Sequence, residues 1–286
     1  MTNNFIGCDK KYGESDIVIF GAPFDGTVSY RPGARFGPSA IRNESYSIET
    51  YSPYQNKDLC DIKVFDGGDL ELCFGNTKKV LSQIKDFTGK ILGDNKLPVM
   101  IGGEHLVTLG AVKAVYEKYS DLCIIHFDAH ADMREDYLGE KLSHATVMRR
   151  CFDLLGDNRI FQFGIRSGER EEFEFSEKHN FINKFNFDGL NKIDKITDKI
   201  IEKTKDKPVY FSIDLDVLDP ADFPGTGTPE AGGVRFNELL AAVLDVLKLN
   251  INIVGIDITE LSPPCDLSGR STSLACKLLR EVLLAV

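Results

Sequence analysis

Residues 122–132 read LCIIHFDAHAD: an almost unbroken apolar run, 122–127, passes directly into Asp128, His130 and Asp132. A run of six with no polar alternation fits a strand covered on both faces, as in a parallel sheet flanked by helices. Comparable runs recur at 16–21 (DIVIFG), 63–65, 98–102 (PVMIG), 159–164 (RIFQFG), 208–213 (PVYFSI) and 251–256 (INIVGI). Between them lie stretches with apolar residues three and four apart, at 38–49, 77–92, 106–119, 145–155, 171–179, 191–204, 236–249 and 271–284. Leu239, Leu240, Val243, Leu244 and Leu247 illustrate that helical spacing. Strands alternating with helices predict an α/β fold with a mainly parallel central sheet and helices on both faces. No Pro/Gly/Ser-rich linker or repeat divides the chain, which reads as one domain, 1–286.

Composition narrows the function. Lys and Arg number 34 against 44 Asp and Glu, a net charge of −10 in 286 residues. That balance argues against nucleic-acid binding, which needs clustered cations, and mildly favours a cationic ligand. No apolar run approaches the roughly 20 residues of a membrane helix. The N-terminal stretch MTNNFIGCDKKYGESD has no apolar signal core, and the seven cysteines are scattered without CxxC spacing. Reduced thiols and a cytoplasmic location are therefore expected, with no membrane partner. Gly102-Gly103 lacks the spacing of a phosphate-binding loop. The charged stretches 169–177 and 192–207 read as solvated helix faces.

The chemistry gathers at the carboxyl ends of the expected strands, where parallel sheets bind ligands. Asp128, His130 and Asp132 alternate, so in an extended segment all three would share one face. Asp214 and Asp216 repeat the pattern, and His105 follows the 98–102 run. An aspartate at a strand end is commonly a turn or cap residue. Two alternating sets plus a histidine from a third strand are harder to explain that way. Four crowded carboxylates would repel one another, and two divalent cations would cancel the charge. His105, Asp128, His130, Asp132, Asp214 and Asp216 thus make a candidate two-metal site, oxygen-rich with some imidazole, which suits Mn²⁺. Such a centre points to hydrolysis. His144 is a candidate proton carrier, though it also reads as a helix-start residue. Glu260 is a candidate partner for a cationic substrate, or a loop carboxylate. His126 reads as a supporting or core histidine, His179 as solvent-exposed, and the Gly/Pro-rich segment 224–233 as a wall of the pocket.

These stretches resemble the ureohydrolase (arginase and agmatinase) family. HFDAHAD at 126–132, SIDLDVLDP at 212–220, PGTGTPEAGG at 224–233, GGEH at 102–105 and GAPFDGTVSYRPGARFGPSAIR at 21–42 carry the resemblance in the family order. It implies a three-layer α/β/α fold with about eight central strands and two Mn²⁺ per chain. One ion would be held by His105, Asp128, Asp132 and Asp214. The other would be held by His130, Asp128, Asp214 and Asp216, with Asp128 and Asp214 bridging. A metal-bridging hydroxide would attack the guanidinium carbon, His144 would shuttle protons and Glu260 would bind the guanidinium. The blocks are more similar to agmatinases than to arginases, implying hydrolysis of agmatine to putrescine and urea. Guanidinobutyrate or arginine are the alternative substrates, and a non-catalytic metal- and polyamine-binding protein or a mononuclear zinc deacetylase are more distant readings. The resemblance also implies a homo-oligomer, trimeric or hexameric. An alanine follows His144 where the family more usually has glycine.

Overall fold

The apolar runs all become strands. A computed structural model describes residues 4–179, 202–249 and 251–286. Its strands are β1 (Ile17–Ala22), β2 (Tyr51–Ser52), β3 (Lys57–Asp58), β4 (Val64–Asp69), β5 (Leu97–Gly102), β6 (Cys123–Phe127), β7 (Ile160–Phe163), β8 (Pro208–Asp214) and β9 (Asn252–Thr259). Its helices are α1 (Gly37–Glu44), α2 (Thr77–Gly93), α3 (Val107–Lys118), α4 (Val147–Leu155), α5 (Arg170–Lys178), α6 (Phe236–Lys248) and α7 (Arg270–Ala285). The helix expected at 191–204 lies outside the described residues except for its last three positions.

The central sheet runs β4-β1-β5-β9-β8-β6-β7, with every neighbouring pair parallel. That is seven strands among the described residues, where the resemblance implies about eight. Side chains of one strand feed two cores, because successive residues point to opposite faces. Ile17 and Ile19 of β1, and Cys123, Ile125 and Phe127 of β6, pack with α6, α7 and Ile41 of α1. Val18, Phe20 and Ile124 face the other way, onto the buried sides of α2, α3 and α4. Both faces are dry, which is why the strands show no polar alternation.

The β2–β3 hairpin is antiparallel, and its four residues are too few and too polar to announce themselves. Tertiary contacts hold it to α7. Ser52 Oγ donates to Glu281 Oε2 (2.6 Å), and Lys57 Nζ donates to the Leu284 carbonyl (2.6 Å). His179 differs from expectation. Its ring lies 4.3 Å from that of Phe175 and 4.8 Å from Phe152, and Nδ1 meets Asp157 at 2.6 Å. The packing of α5 on α4 partly buries the histidine, leaving its side chain 20% exposed.

Asp266 starts α7. One oxygen accepts from the Ser271 N–H (2.8 Å) and hydroxyl (2.6 Å), the other from Ser268 N–H (3.0 Å) and hydroxyl (2.6 Å). Burial opposes its charge, but these donors outweigh it and hold the carboxyl down at about 2, from an ordinary 3.8. A depressed folded-state value stabilises the protein above the unfolded one, and the benefit is lost as pH falls towards 2. Asp266→Asn should therefore destabilise the protein most near pH 6, and progressively less from pH 4 down to 2. Urea denaturation across that range measures it, and a pH-independent difference would contradict the account.

Candidate metal centre

Strands β5, β9, β8 and β6 lie side by side, so their carboxyl ends open onto one place. The turn after β5 carries His105, β6 runs into 128–132, β8 ends at Asp214 and β9 runs into Glu260. Gly103 permits the tight approach of the turn after β5. A Cβ there would overlap the Phe24 carbonyl oxygen. The segment 128–132 is not a continuous strand, as the alternation suggested. β6 stops at Phe127, and Asp132 takes a left-handed conformation (φ 54°). Glu260 is also left-handed (φ 65°), an uncommon state for a residue with a long side chain.

All six expected donors come together. His105 Nδ1 lies 3.1 Å from Asp128 Oδ2, 3.0 Å from Asp132 Oδ2 and 3.4 Å from Asp214 Oδ2. His130 Nδ1 lies 2.9 Å from Asp216 Oδ2 and 3.6 Å from Asp128 Oδ1. Asp128 thus turns one oxygen to each histidine and stands between two groups of donors. Asp214 Oδ1 accepts from the Asp216 N–H (2.9 Å), and Asp216 Oδ1 accepts from the Ala129 N–H (3.1 Å). His126 stands behind Asp128, with Nε2 2.9 Å from Oδ2. The Gln162 amide nitrogen donates to the Ala131 carbonyl (2.7 Å) and so also to His126 Nδ1 (3.2 Å), which leaves the His126 proton on Nε2, facing Asp128.

The electrostatics are unbalanced without added positive charge. Burial, then the charges of Asp216 and Asp128, drive Asp214 well above the carboxylate range. Burial and the Asp128 charge push Asp132 up to about 7. Glu260 rises well above its usual value through burial and the charges of Asp216 and Glu104. Burial opposes a charged His105, yet Asp128, Asp132 and Asp214 together raise it far above an ordinary imidazole. Four aspartates with two imidazoles form a hard oxygen and nitrogen donor set, no cysteine lines the cavity, and divalent cations would neutralise the excess charge. The residues present fit such ions.

Five of the donors, His105, His130, Asp132, Asp214 and Asp216, floor a cavity of about 270 Å³ with Asp128 buried beneath them, and its walls include His144, Glu260, Arg134, Tyr137, Glu169 and Glu172. Thr228, from the 224–233 segment, also lines it. Glu260 Oε1 accepts from the His105 N–H (2.8 Å). Burial and the charges of His130, His105 and Arg134 lower His144 despite a bond to Thr27, and this lowering favours the neutral ring.

Three supporting residues carried no signal of their own in the sequence: Gln162, Arg134 and Arg166. Arg166 donates to the carbonyls of Asp216 (2.9 Å), Val217 (3.1 Å), Glu230 (2.8 Å), Ala231 (3.2 Å) and Gly164 (3.2 Å). One guanidinium thereby ties the Asp216 turn to the 224–233 segment.

The profile of the Arginase family matches residues 15–285. The chain belongs to the arginase family. Within the family it is 46% identical to the agmatinase of Bacillus subtilis over 280 residues, 98% of this chain and 95% of that one. A Clostridium difficile crystal structure of the same fold is 52% identical, with a TM-score of 0.90 over 96% of this chain and 98% of the other. The agmatine ureohydrolase of Thermoplasma volcanium is 36% identical, with a TM-score of 0.91 over 100% and 94%. Membership makes the chain a ureohydrolase with a metal centre, on the three-layer fold expected from the sequence. Among the described residues no helix is long and apolar enough to cross a membrane.

Proposed function

We propose that the protein is a manganese-dependent agmatinase, converting agmatine and water to putrescine and urea. The near full-length kinship with agmatinases supports the reaction. One observation carries the choice of substrate. Among the described residues lining the cavity, Arg134 is the single Lys or Arg, and it is engaged by Glu169 (3.0 Å) and Glu172 (3.5 Å). Agmatine, a dication, needs no such cation, and its guanidinium meets Glu260 on the wall. Arginine or guanidinobutyrate would bring a carboxylate with no free cation to receive it.

His105, Asp128, Asp132 and Asp214 would hold one Mn²⁺, and His130, Asp128, Asp214 and Asp216 the second. When bound, the ions would supply a water acidified to near neutrality. Glu260, fixed by the His105 N–H, pairs with the substrate guanidinium and orients its carbon towards the floor of the site. The incoming cation would itself favour the ionised carboxylate that burial opposes. The departing amine needs a proton, and His144 on the wall takes one from solvent at its free ring nitrogen and hands it on.

The kcat/KM for urea release by the manganese-loaded protein should be highest with agmatine, well above arginine and guanidinobutyrate. Agmatine ranking last would defeat the proposal. Glu260→Gln should raise KM and lower kcat together, costing roughly 10- to 100-fold in kcat/KM, the range for a charge-assisted hydrogen bond. Steady-state kinetics on agmatine check this, and parental constants would remove Glu260 from substrate binding.

A further inference from the structure

We propose that Thr27 is a positioning residue that fixes the tautomer and direction of His144; the idea deepens the reading of His144 as the proton carrier and rests on it. Thr27 lies in the loop after β1, 117 positions before His144 in the chain, and does not line the cavity. Its backbone carbonyl is 2.9 Å from His144 Nδ1. A carbonyl only accepts, so Nδ1 carries the hydrogen and Nε2 of the neutral ring carries the lone pair. That nitrogen lies 3.4 Å from Ser29 Oγ, and Ser29 lines the cavity beside His144.

Glu104 sets the carbonyl in turn. Glu104 is fully buried, and both its oxygens are taken up by Thr27: Oε2 accepts from the backbone N–H (2.8 Å) and Oε1 from the hydroxyl (2.5 Å). The Thr27 hydroxyl has one hydrogen, and it is spent on Glu104. Its lone pair is therefore aimed at the His144 N–H, which it accepts at 3.1 Å. Thr27 grips His144 by both backbone and ring, and the Glu104 N–H donates back to the Phe24 carbonyl (2.7 Å) in the same loop. This chain of bonds explains how the histidine keeps its orientation with alanine beside it.

Thr27→Val keeps the shape and deletes both hydroxyl bonds. Its kcat on agmatine should fall about tenfold with KM little changed, since a relay loses geometry while substrate contacts stay. Bound-metal content should match the parent, because Thr27 touches none of the six donors. Thr27→Ser should restore most of the kcat. Nitrogen-15 NMR of the metal-free protein labelled at its five histidines gives an independent reading. The His144 signal, assigned with His144→Ala, should be the Nδ1–H tautomer in the parent and a tautomer mixture in Thr27→Val. A parental Nε2–H tautomer, or a valine variant with parental kcat and spectrum, overturns the proposal. Parental kcat in His144→Ala would instead sink the proton-carrier role, leaving the tautomer measurement to judge Thr27 alone.

Discussion

Asp128→Asn should abolish turnover of agmatine, lowering kcat by more than about a hundredfold, since losing even an outer partner of a metal ligand costs 10- to 100-fold. Asp128 is the one carboxylate of the centre with an oxygen towards each histidine, 3.1 Å from His105 and 3.6 Å from His130. It is also driven the other way from its neighbours. Burial opposes its charge, but the surrounding imidazoles His126, His105 and His130 hold it well below the carboxylate range. Asparagine removes that charge and sets an amide N–H₂ against a ring nitrogen. A second readout separates metal loss from a chemical defect. The rise in Tm on adding Mn²⁺ should largely vanish in the variant, because ligand-linked stabilisation scales with affinity. A variant with the parental increment and parental kcat would end the bridging role.

Arg166→Met should unfold the protein more easily by about 3 kcal/mol and depress activity further than the lost stability accounts for. Hydrogen bonds to a charged donor are each worth about 1.5–3 kcal/mol, and this side chain makes five of 3.2 Å or shorter to carbonyls. The sum is not additive, and water reaches part of the half-buried side chain, so the total stays at about 3 kcal/mol, the upper value for one such bond. Methionine fills the space and leaves those carbonyls unpaired. Arg166→Lys should recover little, because one ammonium cannot replace a planar fork with five N–H donors. Urea denaturation gives the first quantity. Assays well below the Tm give the second, through release of the Asp216 turn and the 224–233 segment. Unchanged stability in Arg166→Met would show those carbonyls to be satisfied by water.

The proposed ligand positions were legible because their chemistry is local. Asp-x-His-x-Asp and Asp-x-Asp at the ends of apolar runs identify themselves by residue type and spacing, whichever strands turn out to be neighbours. Gln162 and Arg166 were not legible for the opposite reason. Gln162 sits inside the apolar run 159–164 and Arg166 lies just beyond its glycine, and what each does depends mainly on carbonyls 31 to 65 positions away in sequence. Asp132 marks the boundary between the two cases. The sequence names it as a donor, but its left-handed backbone replaces the extended segment that alternation suggested.

By itself the sequence determined the α/β class and the order and approximate bounds of the strands, and it named the six candidate donors, since hydrophobic period and ligand type are properties of short windows. Only the tertiary structure decided that β5, β9, β8 and β6 stand side by side, although residues 128–207 and 215–251 separate the last three from one another along the chain. It alone decided that Arg134 is already matched by Glu169 and Glu172, and that Thr27 holds His144. Hydrogen bonds and ion pairs act over about 3 Å in space, and no window of sequence reports which distant groups folding will bring that close.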